Sequence, residues 1–564
     1  MSFLRVSVIL SDDHRVQGVE RVDRELLDAN ALVGHLVTEG SVFAFLAEHR
    51  GRVLPDEDFA DLFRSGLGRP SMPAPVAATI LTLQTLLDLS DAEAAEAARC
   101  DLRWKVATGM ALDDKGFHPS TLVYWRRRLA KSARPHRINE AVRRVVEVTG
   151  VLRGRHRRAV DSTILADAVA TQDTITQLVA AVRRVARQVP GAAEQIAAVC
   201  AGHDYSQPGK PDIDWDDPGA KDTLVSALVN DANALVAALA GAELDEQAQS
   251  ALALLALVAG QDVEPAEGSD GTDGRWRIAR KVAEDRMIST VDPEARHTRK
   301  SPEARRDGYR AHMAAEPGTG IITDEELTKA AGTENSDPAV AERFLAADIA
   351  NSSNNNGDHD STDDKQAESD EATDAEAPPR REWYGDSAYG TGDLRGAVDD
   401  AGHEAVIKPK PLKSPVEGGF TVDDFTVDED NQTVTCPNGN TRPISVTRVA
   451  TFGALCRDCP LRERCTTSKT GRKIVLHDRD DLLRKARQGW KTNPDLRERY
   501  RRHRPNVERI VSQVATRGGR RLKLRYRGTD RNNAWLKRRT AALNLRNLVN
   551  RGLYFAQGWV LATA

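Results

Sequence analysis

Apolar residues recur at helical spacing through most of the first 150 positions, as in "PAPVAATILTLQTLLDLSDAEAAEAARC". This pattern predicts an all-helical segment over 1–150. "HRRAVDSTILADA" then reads as a strand, the first of a sheet, over 151–165 and running into Asp161. Helical periodicity returns over 166–280, for example in "ITQLVAAVRRVARQV". Within 281–345, "RRDGYRAHMAAEPGTGIITDEEL" predicts two strands joined by the turn "EPGTG". Residues 346–380 are acidic and almost free of large apolar groups, so they read as a disordered linker that cannot offset its ordering entropy. Residues 381–415 read strand–helix–strand: "EWY", "DLRGAVDDAG", then "HEAVIKPKP" with its basic exit. Short alternating strands fill 416–480, and helices dominate 481–564. The fold class predicted is α+β and multidomain, a mixed sheet with helices packed on it.

Near the C-terminus Val507, Ile510, Val511 and Val514 fall at i, i+3, i+4 and i+7, an inward stripe on a helix that Pro505 is placed to start. "FHPSTLVYWRRRLAK" places Pro119 in a first turn, followed by a basic, aromatic helix carrying Arg126, Arg127 and Arg128. That helix resembles the second helix of a helix-turn-helix; an amphipathic surface helix is the alternative. The longest apolar run, "ALALLALVAG" at 251–260, is about half a membrane span and reads as a buried helix. The opening "MSFLRVSVILSDD" carries no targeting pattern, so a cytoplasmic protein without membrane partners is expected.

Charge changes this picture locally. The formal net charge is only −4, yet residues 481–552 hold 22 Lys/Arg against 5 Asp/Glu. An excess of that size attracts a polyanion, and nucleic acid is the usual one.

The cysteines add a metal. Cys456 and Cys459 form a C-x2-C knuckle, with Cys465 after it and Cys436 before. Four thiols at this spacing in a cytosolic chain predict a closed, structural zinc site within a β-rich insert; an iron–sulfur cluster or unliganded thiols are the alternatives. Cys100 and Cys200 lie in helical, Ala-rich stretches and read as buried bystanders.

Because such a site has no open position, chemistry must lie elsewhere. Three acids are candidates: Asp161, Asp386 between the strand "EWY" and the glycines of "GDSAYG", and Glu508 at the edge of the inward stripe. The plainer alternatives are a turn-forming aspartate at 386 and a surface Arg504–Glu508 pair. Converging carboxylates repel one another unless divalent cations lie between them. Two magnesium (or manganese) ions about 4 Å apart suit phosphodiester displacement, with a basic surround to hold the nucleic-acid backbone.

At this point "VDSTILADA", "DGYRAHMAAEPGTGIIT", "WYGDSAYGTGDLR", "VIKPKP" and "RPNVERIVSQ" with the basic stretch that follows it resemble a bacterial insertion-sequence transposase of the DDE type. The stretch from Asp56 to Met110 is similar to the helical N-terminal domain of that group, and the cysteine insert also occurs in one branch of it. The resemblance implies a ribonuclease-H-like catalytic core, magnesium-dependent end cleavage and strand transfer by the exposed 3′-hydroxyl. It makes Asp161, Asp386 and Glu508 the three catalytic, magnesium-holding carboxylates, with Asp292 the substitute for the first. It further implies double-stranded DNA partners (terminal inverted repeats and target), a homodimer or larger synaptic complex, and a place in the bacterial nucleoid. The group's Tyr-x2-Arg-x3-Glu-x6-Lys signature is matched at Arg504 and Glu508, whereas Arg501 replaces the Tyr and Ala515 the Lys, for which Arg517 is a stand-in. DNA contacts are expected from Lys408, Lys410, Arg501, Arg504, Arg517, Arg525, Tyr526 and Arg527, and from the arginines at 126–128. Two other readings stay open: a non-catalytic zinc-containing DNA-binding protein derived from a transposase, and a structure-selective nuclease without strand transfer.

Overall fold

The strand predicted around Asp161 is the centre of a six-stranded sheet. The computed structural model describes residues 17, 18, 20, 27–63, 70–280, 283, 285–299, 305–355 and 380–562. The sheet strands are β1 (Arg157–Ala166), β2 (Arg296–Arg299), β3 (Arg305–Ala315), β4 (Ile322–Lys329), β5 (Glu382–Gly385) and β6 (Glu404–Ile407). β3 lies antiparallel to β1, with Asp161 opposite Met313, and carries β2 and β4 antiparallel to itself. On the other side of β1, β5 and then β6 run parallel to it. The strand does not end at Asp161, as the sequence pattern suggests, but continues to Ala166 because Ser162 to Ala166 pair with β3.

Five helices position the sheet: α1 (Ala74–Leu86), α2 (Ser120–Lys131), α3 (Asp337–Asn355), α4 (Pro494–Ala515) and α5 (Thr529–Asn550). α3 covers one face, where Val340 and Phe344 meet Val160, Trp383 and Ile407. α4 covers the other with the predicted stripe: Val507, Ile510, Val511 and Val514 are all buried. Asn493 caps α4 and Pro494 occupies its first turn. Pro505 therefore does not start this helix; it lies inside it. A proline there forfeits one N–H bond to the carbonyl of Arg501. Both residues are exposed, so water can serve that carbonyl, while the buried stripe holds the helix on the sheet.

The N-terminal helices share this core. α1 is buried at every position, and Arg539 of α5 donates to the carbonyls of Thr85 (2.6 Å) and Leu86 (3.0 Å). Between β1 and β2 the helices Thr174–Gln188, Ala192–Val199, Pro218–Ala238 and Glu246–Gln261 build a separate core from Leu178, Val182, Val225, Leu228 and Leu255. The apolar 251–260 run lies in the last of these, buried on one side with Leu257 exposed. No helix among the described residues is long and apolar enough to cross a membrane. α3 covers residues 346–355, the start of the expected disordered linker; 356–379 lie outside the described residues. The chain turns from helix to a closing hairpin, Leu553–Phe555 with Trp559–Leu561.

His312 on β3 is 1% exposed, with Nε2 3.1 Å from Thr328 Oγ1. Asp337 Oδ1 at 3.5 Å would favour the imidazolium. Burial, helped by the guanidiniums of Arg310 and Arg343, outweighs it and lowers the pKa to about 3. The native state thus refuses a proton that the unfolded chain accepts, so stability is present above pH 6.5 and is lost as pH falls toward 3. Replacing His312 by Gln is expected to flatten that decline by up to about 1.4 kcal/mol per pH unit, read from urea midpoints across the window. An unchanged slope would show that His312 titrates normally.

Candidate active site

Strand pleating decides which way Asp161 points. Ala159 and Leu165 pack under α4 and Val160 packs under α3, so Asp161, two along from Ala159, faces α4. The same alternation puts Trp383 of β5 under α3 and Tyr384 under α4. Asp386 follows at the end of β5 and caps the turn Ser387–Tyr389, accepting from Ala388 N at 2.8 Å. Gly385 is needed here: a Cβ would stand 2.9 Å from Tyr389 Cβ and displace the turn.

On α4, Tyr500, Arg504 and Glu508 are spaced i, i+4, i+8 along one face. Arg504, with only 5% of its side chain exposed, reaches all three candidate acids. Its Nη2 lies 3.0 Å from Asp161 Oδ1 and 3.8 Å from Asp386 Oδ2, and its Nη1 lies 3.9 Å from Glu508 Oε1. Exposure rises from 14% for the Asp161 side chain through 46% for Asp386 to 63% for Glu508, so the cluster runs from a buried floor to an open rim.

Burial raises the Asp161 pKa, against the opposing charge and hydrogen bond of Arg504; Asp386 adds to the rise. Burial would lower the Arg504 pKa, but Asp161 and Asp386 raise it on balance. Tyr389, 2% exposed, forms the floor near Asp161 and Asp386, and burial pushes its phenol well above the usual value. Tyr500 is the residue that the sequence reading misses. Half-buried, it lies near Arg504, Asp386 and Glu508, and its pKa is raised chiefly by burial. It sits one position before the place where the signature calls for a tyrosine; the i+4 spacing to Arg504 was the available signal.

Asp292, the substitute first acid, lies elsewhere. It is 1% exposed and accepts from Tyr309 Oη (2.7 Å) and Gly528 N (3.2 Å), tying β3 to the start of α5. The expected DNA contacts divide. Lys408, Lys410, Arg501, Arg517, Arg525, Arg527 and Arg127 are exposed. Arg504 is turned inward to the acids instead of outward. Arg126 is held by Asp91, with Nη1 2.8 Å from Oδ1, and lies 5.4 Å over the Tyr526 ring. Arg128 donates to the Leu62 carbonyl and stacks on Phe63 and Tyr124. Trp125 between them is buried against Phe59 and Phe63, so only Arg127 of the three is free of the fold on that helix.

Among the described residues no group of three or more His, Cys, Asp or Glu side chains is arranged to hold a metal ion. The guanidinium of Arg504 lies among the three carboxylates, whose hard oxygens are the donor type that magnesium takes. The four thiols of Cys436, Cys456, Cys459 and Cys465 line a single cavity of about 20 Å³ within the core of Phe425, Val434, Phe452 and Ile474. Burial raises the Cys465 pKa, and the three other thiols are near enough to raise it further. Of the two cysteines read as buried bystanders, Cys100 is exposed at the end of its helix and Cys200 is half-buried.

Residues 37–128 match the family described as Transposase domain (DUF772), and residues 435–549 match the Transposase DDE domain. The second match contains Glu508, Arg504, Tyr500 and all four clustered cysteines; Asp161 and Asp386 lie outside it. No curated protein and no solved structure matches the chain.

Proposed function

We propose that this chain, which its two family matches support as an insertion-sequence DDE transposase, cuts the ends of its element and joins them to target DNA at the Asp161–Asp386–Glu508 cluster. The observation that carries this reading is one guanidinium within 4 Å of carboxylates from β1, the end of β5 and α4. A DNA-binding protein without catalysis has no use for three acids gathered round one guanidinium, which argues against that alternative.

The sheet supports a ribonuclease-H-like core: four strands, β1 to β4, paired antiparallel, then β5 and β6 parallel to β1, with a helix across the face. Asp161, Asp386 and Glu508 would hold magnesium, which when bound activates an attacking oxygen and stabilises the leaving one. Arg504 keeps the acids together and Asp161 oriented. Exposed Arg501, Arg517, Lys408 and Lys410 hold backbone phosphates near the rim. Water attacks the phosphodiester at the element's end, leaving a 3′-hydroxyl and a 5′-phosphate. That hydroxyl then attacks a target phosphodiester, releasing a new 3′-hydroxyl. Two ends must be joined, so a dimer or larger assembly is part of the proposal.

Incubation with magnesium and a duplex carrying the terminal repeat tests the reading. A nick at the repeat boundary is expected, with joined product when target plasmid is added. Binding without cutting would leave only a DNA-binding protein, and cutting without joining a nuclease.

Zinc at the four thiols belongs to the same proposal, because soft sulfur donors around one small cavity suit it. Metal analysis is expected to find about one zinc per chain, lost with Cys456→Ser together with the folded signal of the 416–480 insert. A folded, metal-free insert would remove zinc from the account.

A further inference from the structure

Residues of α4, α5 and the β3–β4 turn together line a cavity of about 380 Å³. Its polar side chains are three arginines, Arg509, Arg546 and Arg551, four amides, Asn506, Gln513, Asn547 and Asn550, and the hydroxyl of Thr319. No aspartate or glutamate lines it. Arg551 is spent on the fold, donating to Thr319 O (2.8 Å) and Asn547 Oδ1 (3.1 Å). Arg546 is half-buried, and its hydrogen bond is a 3.3 Å contact to Gln513 Oε1. Among the described residues neither Arg546 nor exposed Arg509 has a carboxylate partner. Desolvating a guanidinium without a counter-charge is costly, and burial accordingly lowers the Arg546 pKa. An anion in the cavity would supply that charge.

Arg509 follows Glu508 in α4, so the cavity opens about 100° round the helix from the acid rim and within about 10 Å of it. We infer that the α4–α5 cavity binds a backbone phosphodiester of the DNA strand flanking the cut, through Arg509 and Arg546. This rests on the DNA-cutting reading above and extends it to a second phosphate subsite. Planar guanidiniums match phosphate oxygens in pairs, and the amides of Asn506 and Asn550 add neutral donors that suit a backbone without reading its sequence.

The test is a binding titration of full-length protein on an end-bearing duplex over a salt series. In the double variant Arg509→Gln/Arg546→Gln, the slope of log affinity against log salt is expected to fall by about two, and affinity at low salt about tenfold or more. Restoring charge with Arg509→Lys/Arg546→Lys should recover most of the slope. Should the glutamine pair fail to fold, Asn550→Glu at the exposed rim sets a negative charge in the cavity and is expected to weaken binding in the same direction. Unchanged slope and affinity in these variants overturn the assignment. Inorganic pyrophosphate at matched ionic strength is the second arm: if it alone raises the wild-type melting temperature while the variants keep the wild-type DNA slope, the cavity takes a free anion and the DNA assignment fails. Wild-type cutting is scored separately. A wild-type enzyme that cuts, with variants of unaltered slope, overturns the cavity alone; a wild type that neither binds nor cuts removes both readings.

Discussion

With Asp386 replaced by alanine, magnesium-dependent cutting of the element's end falls by about a thousandfold or more, while the duplex is still bound. The size follows from the work asked of the acid: charge stabilisation worth several kcal/mol at the transition state, at about 1.4 kcal/mol for each factor of ten. Asp386 suits this experiment because its side chain is 46% exposed and makes few bonds that hold the fold. The turn it caps loses one bond, to Ala388 N, which Asp386→Asn would keep. The asparagine variant should be as inactive as the alanine, since an amide replaces a carboxylate oxygen with a donor. Binding is read in parallel by gel shift. Cutting within tenfold of wild type in either variant would take Asp386 out of the site.

The second large effect falls on stability. Replacing Arg504 by methionine leaves Asp161 desolvated, with only 14% of its side chain exposed and its counter-charge gone. Removing one partner of such a buried pair costs about 3 kcal/mol, because the orphaned charge keeps its desolvation penalty. The sheet's unfolding transition in urea should therefore move to markedly lower denaturant. The double variant Asp161→Asn/Arg504→Met removes both charges and should recover most of the loss, the signature of coupled neighbours. A single-variant loss below about 1 kcal/mol, with no recovery in the double, would mean that the pair behaves like an exposed one. The same guanidinium lies within 4 Å of all three carboxylates and neutralises part of their repulsion from inside the fold.

Much of the fold could be read from spacing alone. The apolar runs flanking Asp161 and the pattern of "RRDGYRAHMAA" marked strands, and the stripe from Val507 to Val514 marked the buried face of α4. These signals are local, because a strand or helix half-buried against one neighbour must repeat its apolar positions at its own period. The errors were also local. Pro505 was a sound start signal, but Asn493 and Pro494 one long helix earlier supplied a better one. The polar residues at 351–355 looked unstructured, yet they extend a helix whose apolar positions earlier in α3 pack on the sheet.

Charge was harder to read than hydrophobicity. Arg126, Arg128 and Arg504 all looked like hands for phosphate. Each instead answers a partner distant in sequence: Asp91, the Leu62 carbonyl, and Asp161. A long guanidinium can face solvent or turn inward at equal local cost, and only the neighbour brought by the fold decides between them. Arg509 and Arg546 are the converse case, left without an acid because none lines the cavity between α4 and α5.

By itself, the sequence missed β2 and the hairpin of Val263–Pro265 with Trp276–Ile278, but it determined the main helices, the strands leading to Asp161 and Asp386, the basic stretch from 481 to 552, the cysteine cluster and the identity of three acids worth bringing together. Each of these depends on residue type and spacing, which the chain carries locally. Only the tertiary structure decided that Asp161, Asp386 and Glu508 share one guanidinium, that Tyr500 joins them, and that the N-terminal helices pack into the same core as the sheet. The pleat aims Asp161 at α4, but the side of the sheet on which α4 lies is set by burial of the Val507–Val514 stripe against strands hundreds of residues away, and no local pattern encodes that choice.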